Sequence, residues 1–372
     1  MTKLLVIGGG VGGLSAIANL RKLDKNVEIT MVEPKDFFEI VWASFRSPFE
    51  DWVADGSLFT LKEFCQKNNV KHVQDVVTKL DLEAATLKGG NVLAFTACLI
   101  ATGATTEWAP LGRGLPEHDG SLESRRQAMK EAGEKLLKAE SVLVVGGGMI
   151  GCELAADIAY YSKQAGTPTQ VTLVHSGEHL VPEYTDQAAG MLQGKLERMG
   201  IKVILNDKAV DKNGKMILKS TGGILEAQEV AKTVGIFPIN EFLIDGGFGD
   251  SLNDQGFIKA DSFLRVEGTQ GKIFAVGDCC THLPNSASQA LGAAPTLGHN
   301  LKATLDALAE HRLLTAEAKL KEAAALLDMY VCSAGPKDGV VYIKGAFYTQ
   351  YFLPWLKNST MFFFRVKGDL GL

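Results

Sequence analysis

The chain carries one glycine turn twice: KLLVIGGGVGGLSA at 3–16 and SVLVVGGGMIGCELA at 141–155. In each copy a short apolar run leads into G-x-G-x-x-G spacing, at Gly8, Gly10 and Gly13 and again at Gly146, Gly148 and Gly151. Few patterns constrain a fold as tightly. The first glycine permits a sharp strand-to-helix turn. The second lets backbone come against a pyrophosphate, and the third lets helix and strand close on each other. The helix that follows offers free N–H groups and the positive end of its dipole to the phosphates. Gly8 and Gly146 lie too far apart for a solenoid repeat. The spacing fits two copies of a whole α/β nucleotide-binding unit.

The residues after each turn differ. Val27–Val32 reads as the second strand of the first unit and ends at Glu33, 20 residues past Gly13. An acid there binds ribose hydroxyls. The matching strand of the second unit ends at His175, 24 residues past Gly151. No acid stands there to repel a 2′-phosphate and no arginine stands nearby to clamp one. The expectation is tolerance of both NADH and NADPH, with Glu178 a weak argument for NADH.

At 372 residues the chain has room for two domains or slightly more. Its 46% hydrophobic and 22% charged content supports a sizeable core rather than disorder. A net charge of −5 disfavours a nucleic-acid partner. The six cysteines form no C-x-x-C pair, and only Cys279 and Cys280 are adjacent. That is not a disulfide scaffold, and no metal site is expected. The first strand begins at Lys3–Leu4, residue 2 is Thr, and no apolar run reaches about 18 residues. The expectation is a cytoplasmic protein without signal peptide, transmembrane helix or N-myristoylation.

Residues 71–97 carry short β-like runs broken at Lys88-Gly89-Gly90-Asn91, which predicts a β-meander. A strand then ends in LIATG (99–103), and a Pro/Gly-rich stretch with a polar helix crosses to the second turn. Asn213-Gly214 predicts a hairpin. The chain returns to KIFAVGDCC (272–280), a helix over 286–308 and an Ala/Lys/Glu helix over 316–326. Ten of the 29 aromatic residues fall in the last ~45 positions. The expected division is 1–110 with 236–315 as one discontinuous domain, 111–235 as the second, and 316–372 as a C-terminal subdomain.

The ordered set GxGxxG, ATG, second GxGxxG and GD resembles the two-dinucleotide-binding-domain flavoproteins over residues 3–300. The resemblance implies two Rossmann-like domains with β-meanders and a small C-terminal α+β subdomain. FAD would sit on the first turn and NADH or NADPH on the second. It assigns Gly8, Gly9, Gly10, Val11, Gly12, Gly13, Glu33, Lys35 and Gly103 to FAD. Asp278 would contact the ribityl or phosphate portion, Arg46 the pyrophosphate, and Val77 the adenine through its backbone. Gly146, Gly148, Gly151, His175 and Gly235 are assigned to the nicotinamide nucleotide. Residues 284–294 lack charge, so a helix N-terminus there would stabilise negative charge on the flavin ring.

Disulfide-reducing relatives of this architecture need cysteines after the first β-α-β unit, and residues 37–50, FFEIVWASFRSPFE, contain none. EPKDFFEI, SFR, GGGMIGCELAADI, VTLVHSG and DGVVYIKGAFYTQYF are similar to the ferroptosis-suppressor, or apoptosis-inducing-factor-like 2, family nearly end to end. That resemblance implies NAD(P)H-dependent reduction of ubiquinone-like quinones at membrane or lipid-droplet surfaces. It also implies that Glu153 and Lys357 act together near the flavin. Glu153 otherwise reads as a carboxylate at a positive helix end. The aromatic tail reads either as a peripheral membrane contact or as a packed subdomain or homodimer face. Two other functions stay open: a sulfide:quinone oxidoreductase using Cys152 and Cys332, and a redox-sensing interaction protein like apoptosis-inducing factor.

Overall fold

A computed structural model describes residues 2–107, 120–310, 319–326, 329–343, 346–348 and 352–371. Side chains at 346–348, 352 and 353 are outside the description. Lys3–Ile7 forms the middle strand of a five-stranded parallel sheet. Its neighbours are Glu28–Val32 and Val70–Val73 on one side, Ala97–Ile100 and Ile273–Ala275 on the other. Leu4 to Ile7 are buried, as a continuous apolar run in a two-sided parallel sheet requires. The Val11–Leu23 helix starts immediately after the first turn and packs along the Ala287–Ala309 helix.

The second sheet repeats this plan with four parallel strands: Lys202–Ile204, Gln170–Val174, Ser141–Val145 and Glu229–Lys232. The Met149–Gln164 helix follows its glycine turn. This is the doubled α/β fold that the two turns predict. The β-meander appears as Val77–Leu80, Ala84–Leu87 and Val92–Ala94, all antiparallel. The Asn213-Gly214 hairpin joins Ala209–Lys212 to Lys215–Leu218, with both turn residues at positive φ.

Two short strands, Ala104–Thr105 and Phe237–Pro238, pair antiparallel. The chain therefore leaves the first sheet and returns to it side by side. The C-terminal segment adds a three-stranded antiparallel sheet, Met329–Ser333, Gly339–Ile343 and Ala346–Tyr348, and the helices Phe352–Thr360 and Phe363–Leu370. Leu4, Val144, Cys332 and Met361 belong to one buried cluster, so both sheets and the C-terminal segment share a core.

One expected element is corrected. Residues 320–326 are not helical, and 316–318 lie outside the described residues. Helix propensity loses here to tertiary partners. Asn300 Nδ2 donates to Lys321 O at 2.8 Å, and Lys321 N–H donates to Asn300 Oδ1 at 2.8 Å. Leu326 N–H donates to Gln289 Oε1 at 2.7 Å, and Ala323 N–H donates to Ser262 O. The segment is a strap whose backbone is satisfied by amide side chains of the long 287–309 helix.

Candidate functional site

Two adjoining hollows run along the carboxyl end of the first sheet. The first is lined by Gly8, Glu33, Lys35, Val77, Thr102 and Phe242, among others. The second shares Glu33, Lys35 and Thr102 and continues past Gly9, Gly10, Val11, Gly12, Trp42, Gly103, Asp278 and Ser286. The glycines divide their work as their spacing predicts. A Cβ on Gly8 would stand 2.3 Å from Ala101 O, and one on Gly13 2.3 Å from Gly8 O. A Cβ on Gly10 would meet nothing within 4 Å and would project into open space. Gly8 and Gly13 are thus fixed by packing, whereas Gly10 leaves backbone bare to a ligand.

Glu33 is buried, and its Oε2 accepts from Gly9 N–H at 2.7 Å. Its Oε1 accepts from Lys35 N–H at 3.1 Å and lies 3.7 Å from Lys35 Nζ. The carboxylate is held at the rim where a ribose would lie. The residues fit a dinucleotide: bare backbone at the turn, an acid one strand on, and an apolar pocket around Val77. Sequence reasoning missed Trp42 and Thr102, which line the same groove. Both sit inside quoted motifs, FFEIVWASFR and LIATG, but neither type announces a role.

In the second unit a Cβ on Gly151 would stand 1.8 Å from Gly146 O, while one on Gly148 would meet nothing within 4 Å. Gly147 N–H donates to His175 Nδ1 at 3.1 Å, where Gly9 donates to Glu33 in the first unit. His175 Nε2 is buried and has no hydrogen-bond partner. Burial, and then the neighbouring His179, hold the imidazole below its usual pKa and so favour its neutral form. Gly235 has φ of +80° and packs against the Phe237 ring, at the return crossing.

A cleft of about 760 Å³ meets the second hollow at Ser286, which lines both. Ser286 caps the 287–309 helix through a bond from Gln289 N–H. That helix N-terminus lies at the groove through Ser286, Ala287 and Ala290, as the uncharged 284–294 stretch predicts. Apolar residues from several segments face the cleft, among them Met149, Ile236, Phe257, Leu283, Tyr330 and Val331.

Behind Val331 the structure joins the middle of the chain to its tail. Lys357 Nζ donates to Glu153 Oε1 at 2.6 Å and to Val331 O at 2.7 Å. Ser333 N–H donates to the same Glu153 oxygen at 2.8 Å. Both side chains are buried, and Lys357 also stands 5.5 Å from the Phe45 ring centroid. An unpaired charge would not survive at either place.

Arg46 lies elsewhere than the resemblance implies. It is fully buried, with Nε donating to Asp157 Oδ2 at 2.8 Å and Nη2 to Asp157 Oδ1 at 3.0 Å. Its Nη1 donates to Asn358 Oδ1 at 2.8 Å. The guanidinium is committed to these partners rather than to a pyrophosphate. Asp157 and Asn358 had escaped sequence reasoning. Glu153 and Asp157 stand one turn apart on one helix, a like-charge pair that is unfavourable unless cations face it. That was the available signal.

A doubled nucleotide-binding fold with both turns intact defines a dinucleotide-dependent flavoenzyme. The chain belongs to the pyridine nucleotide-disulphide oxidoreductase family, whose pattern matches residues 2–294. It is an oxidoreductase that uses FAD and NADH or NADPH. Apoptosis-inducing factor homolog B of Dictyostelium discoideum is 27% identical over 394 residues, covering 99% of this chain and 97% of that protein. Ferroptosis suppressor protein 1 of Homo sapiens is 27% identical over 292 residues, covering 74% and 73%. The sulfide:quinone oxidoreductase of Aquifex aeolicus superposes with a TM-score of 0.79 over 99% of this chain and 92% of that one, at 16% identity. That last likeness speaks to the fold alone.

Proposed function

We propose that the enzyme takes a hydride from NADH or NADPH and delivers the electrons to a quinone. Bound FAD supplies the two-electron chemistry that links donor to acceptor. Gly8–Gly13, Glu33, Lys35, Val77, Gly103 and Asp278 would hold it. Gly146, Gly148, Gly151 and His175 would hold the nicotinamide nucleotide, within a unit spanning about 111–235. The observation that carries the acceptor assignment is the cleft joining the groove at Ser286, where Met149, Phe257 and Tyr330 stand among polar residues such as Asn253, Gln255 and Gln289, with the buried Glu153–Lys357 pair behind its wall. A flat ring with polar carbonyl oxygens suits such mixed walls. The relatives named for ferroptosis suppression agree with this reading. In this assignment Glu153 and Lys357 act from behind the wall, as one fixed anion and one fixed cation whose field reaches the acceptor.

The test is anaerobic NADH and NADPH titration of the flavin spectrum, then steady-state turnover with a short-chain ubiquinone. Glu153→Ala should keep FAD and lose about 100-fold in quinone turnover. Turnover equal to wild type would reduce Glu153 to a helix-end charge. A sulfide-oxidising reading draws on one observation: two free buried thiols stand at this pair, Cys152 next to Glu153 and Cys332 between Val331 and Ser333, which bond Lys357 and Glu153. Cys332→Ala separates the two readings, because quinone reduction by NADH should survive it. The exposed Trp355 and Phe364 would serve a peripheral lipid contact. No helix among the described residues is long and apolar enough to cross a membrane.

A further inference from the structure

The Glu153–Lys357 contact is not set by those two residues alone. Lys357 is followed by Asn358, and Glu153 is followed one helical turn later by Asp157. The two helices therefore face each other through two successive rungs. The first is Glu153–Lys357 at 2.6 Å. The second is Asp157–Arg46–Asn358, in which one guanidinium bonds both carboxylate oxygens and the Asn358 amide oxygen. Asn358 Nδ2 is spent in turn on Gly335 O and Asp338 O, both at 3.3 Å. All five of these side chains are buried.

Arg46 comes from neither helix. It follows the Val41–Ala43 turn, whose Val41 and Trp42 line the flavin-side groove, and Trp42 Nε1 donates to Met361 O at 2.8 Å. The rung thus fastens three parts of the chain at one point: the groove wall, the helix of the second glycine turn, and the C-terminal helix. A planar guanidinium is the group suited to this, since its fixed fork takes both oxygens of the Asp157 carboxylate while its remaining nitrogen donates to the Asn358 amide.

We infer that Arg46 and Asp157 are positioning residues, and that their ion pair sets the register of the Phe352–Thr360 helix so that Lys357 meets Glu153. The inference rests on the proposed function only for the consequence at the flavin; the positioning itself is a statement about this chain. Without the rung, a slip of the C-terminal helix by less than one turn would carry Lys357 away from Glu153 and Val331 O. Burial pushes Asp157 up to about 6 against the pull of Arg46, and Glu153 and Glu50 add to the rise. The rung is therefore fully ionised at pH 8.

The test is lysine acetylation of the FAD-loaded full chain at pH 8, read residue by residue by peptide mass spectrometry. Lys195 bonds Asp338 of the same C-terminal sheet and reports on detachment of the whole segment. In Asp157→Asn, and in Arg46→Lys, Lys357 should be labelled about tenfold faster than in wild type, with Lys195 changed less than about twofold. Lys357 labelling at the wild-type rate in either folded variant overturns the inference. So does a parallel rise at Lys195, which would mean general loosening. Should Asp157→Asn not fold, Arg46→Lys, which keeps the charge, decides the matter. The FAD midpoint potential gives the second readout. Arg46→Lys keeps the net charge, so a shift in that variant reports the displaced Lys357 and is expected to be negative, a cation having moved away from the flavin. Faster labelling with no shift in Arg46→Lys would leave the positioning intact and count against the flavin-side assignment in the proposed function.

Discussion

Gly9 and Gly147 donate the same backbone bond to different chemistry, Glu33 in one unit and His175 in the other. Because Gly147 occupies Nδ1, the ring proton belongs on Nε2, which is buried without a partner. His175 therefore offers a donor where Glu33 offers acceptors. A donor serves a ribose hydroxyl and a 2′-phosphate alike, whereas an acid repels the phosphate. His175→Glu should raise KM for NADPH about tenfold or more relative to NADH. Equal changes for both nucleotides would remove His175 from that role. The glycines were legible at this scale because each does a local job fixed by spacing. Arg46 was not. Its partner Asp157 is 111 residues away and Asn358 is 312 away, and no local pattern reports such a meeting. Glu153 and Lys357 were paired from resemblance, and they stand in contact.

Among elements, the strands and helices around each turn follow apolar runs that spacing reveals. The strap at 320–326 does not. An Ala/Lys/Glu composition favours a helix when only neighbours along the chain are counted. The competing term is Asn300, buried on the 287–309 helix, whose amide also donates to Phe263 O at 3.0 Å. Asn300→Ala strips partners from Phe263 O, Lys321 O and Lys321 N–H. The expected loss is about 2–4 kcal/mol, since each stranded group costs about 1–3 kcal/mol before solvent recovers some of it. Urea denaturation at constant m checks this. An unchanged midpoint would show that the strap contributes nothing to stability.

Across the whole molecule the buried charges link stability to pH. Asp157 has a folded pKa of about 6, raised from 3.8 first by burial and also by Glu153 and Glu50, with Arg46 opposing. The folded state then binds more protons than the unfolded chain between these values. Its contribution to stability is complete below the lower value and is lost as pH rises through the upper one. Thermal melts from pH 4 to 7 should show Asp157→Asn with a flatter fall than wild type. Identical pH slopes in the two proteins would contradict the linkage.

The paired crossings at Ala104–Thr105 and Phe237–Pro238 bear on how the protein is made. The first sheet has four of its strands by residue 100, but its edge strand, Ile273–Ala275, is encoded about 170 residues later. At a synthesis rate of about 5–20 residues per second, that interval lasts roughly 9–35 s. The second sheet emerges complete within it, ending at Lys232. Asp278 and Ser286, which line the groove along this sheet, come later still. On the ribosome the unit of the second glycine turn is synthesised first, and the nascent chain waits for its own far side before the groove of the first turn can close.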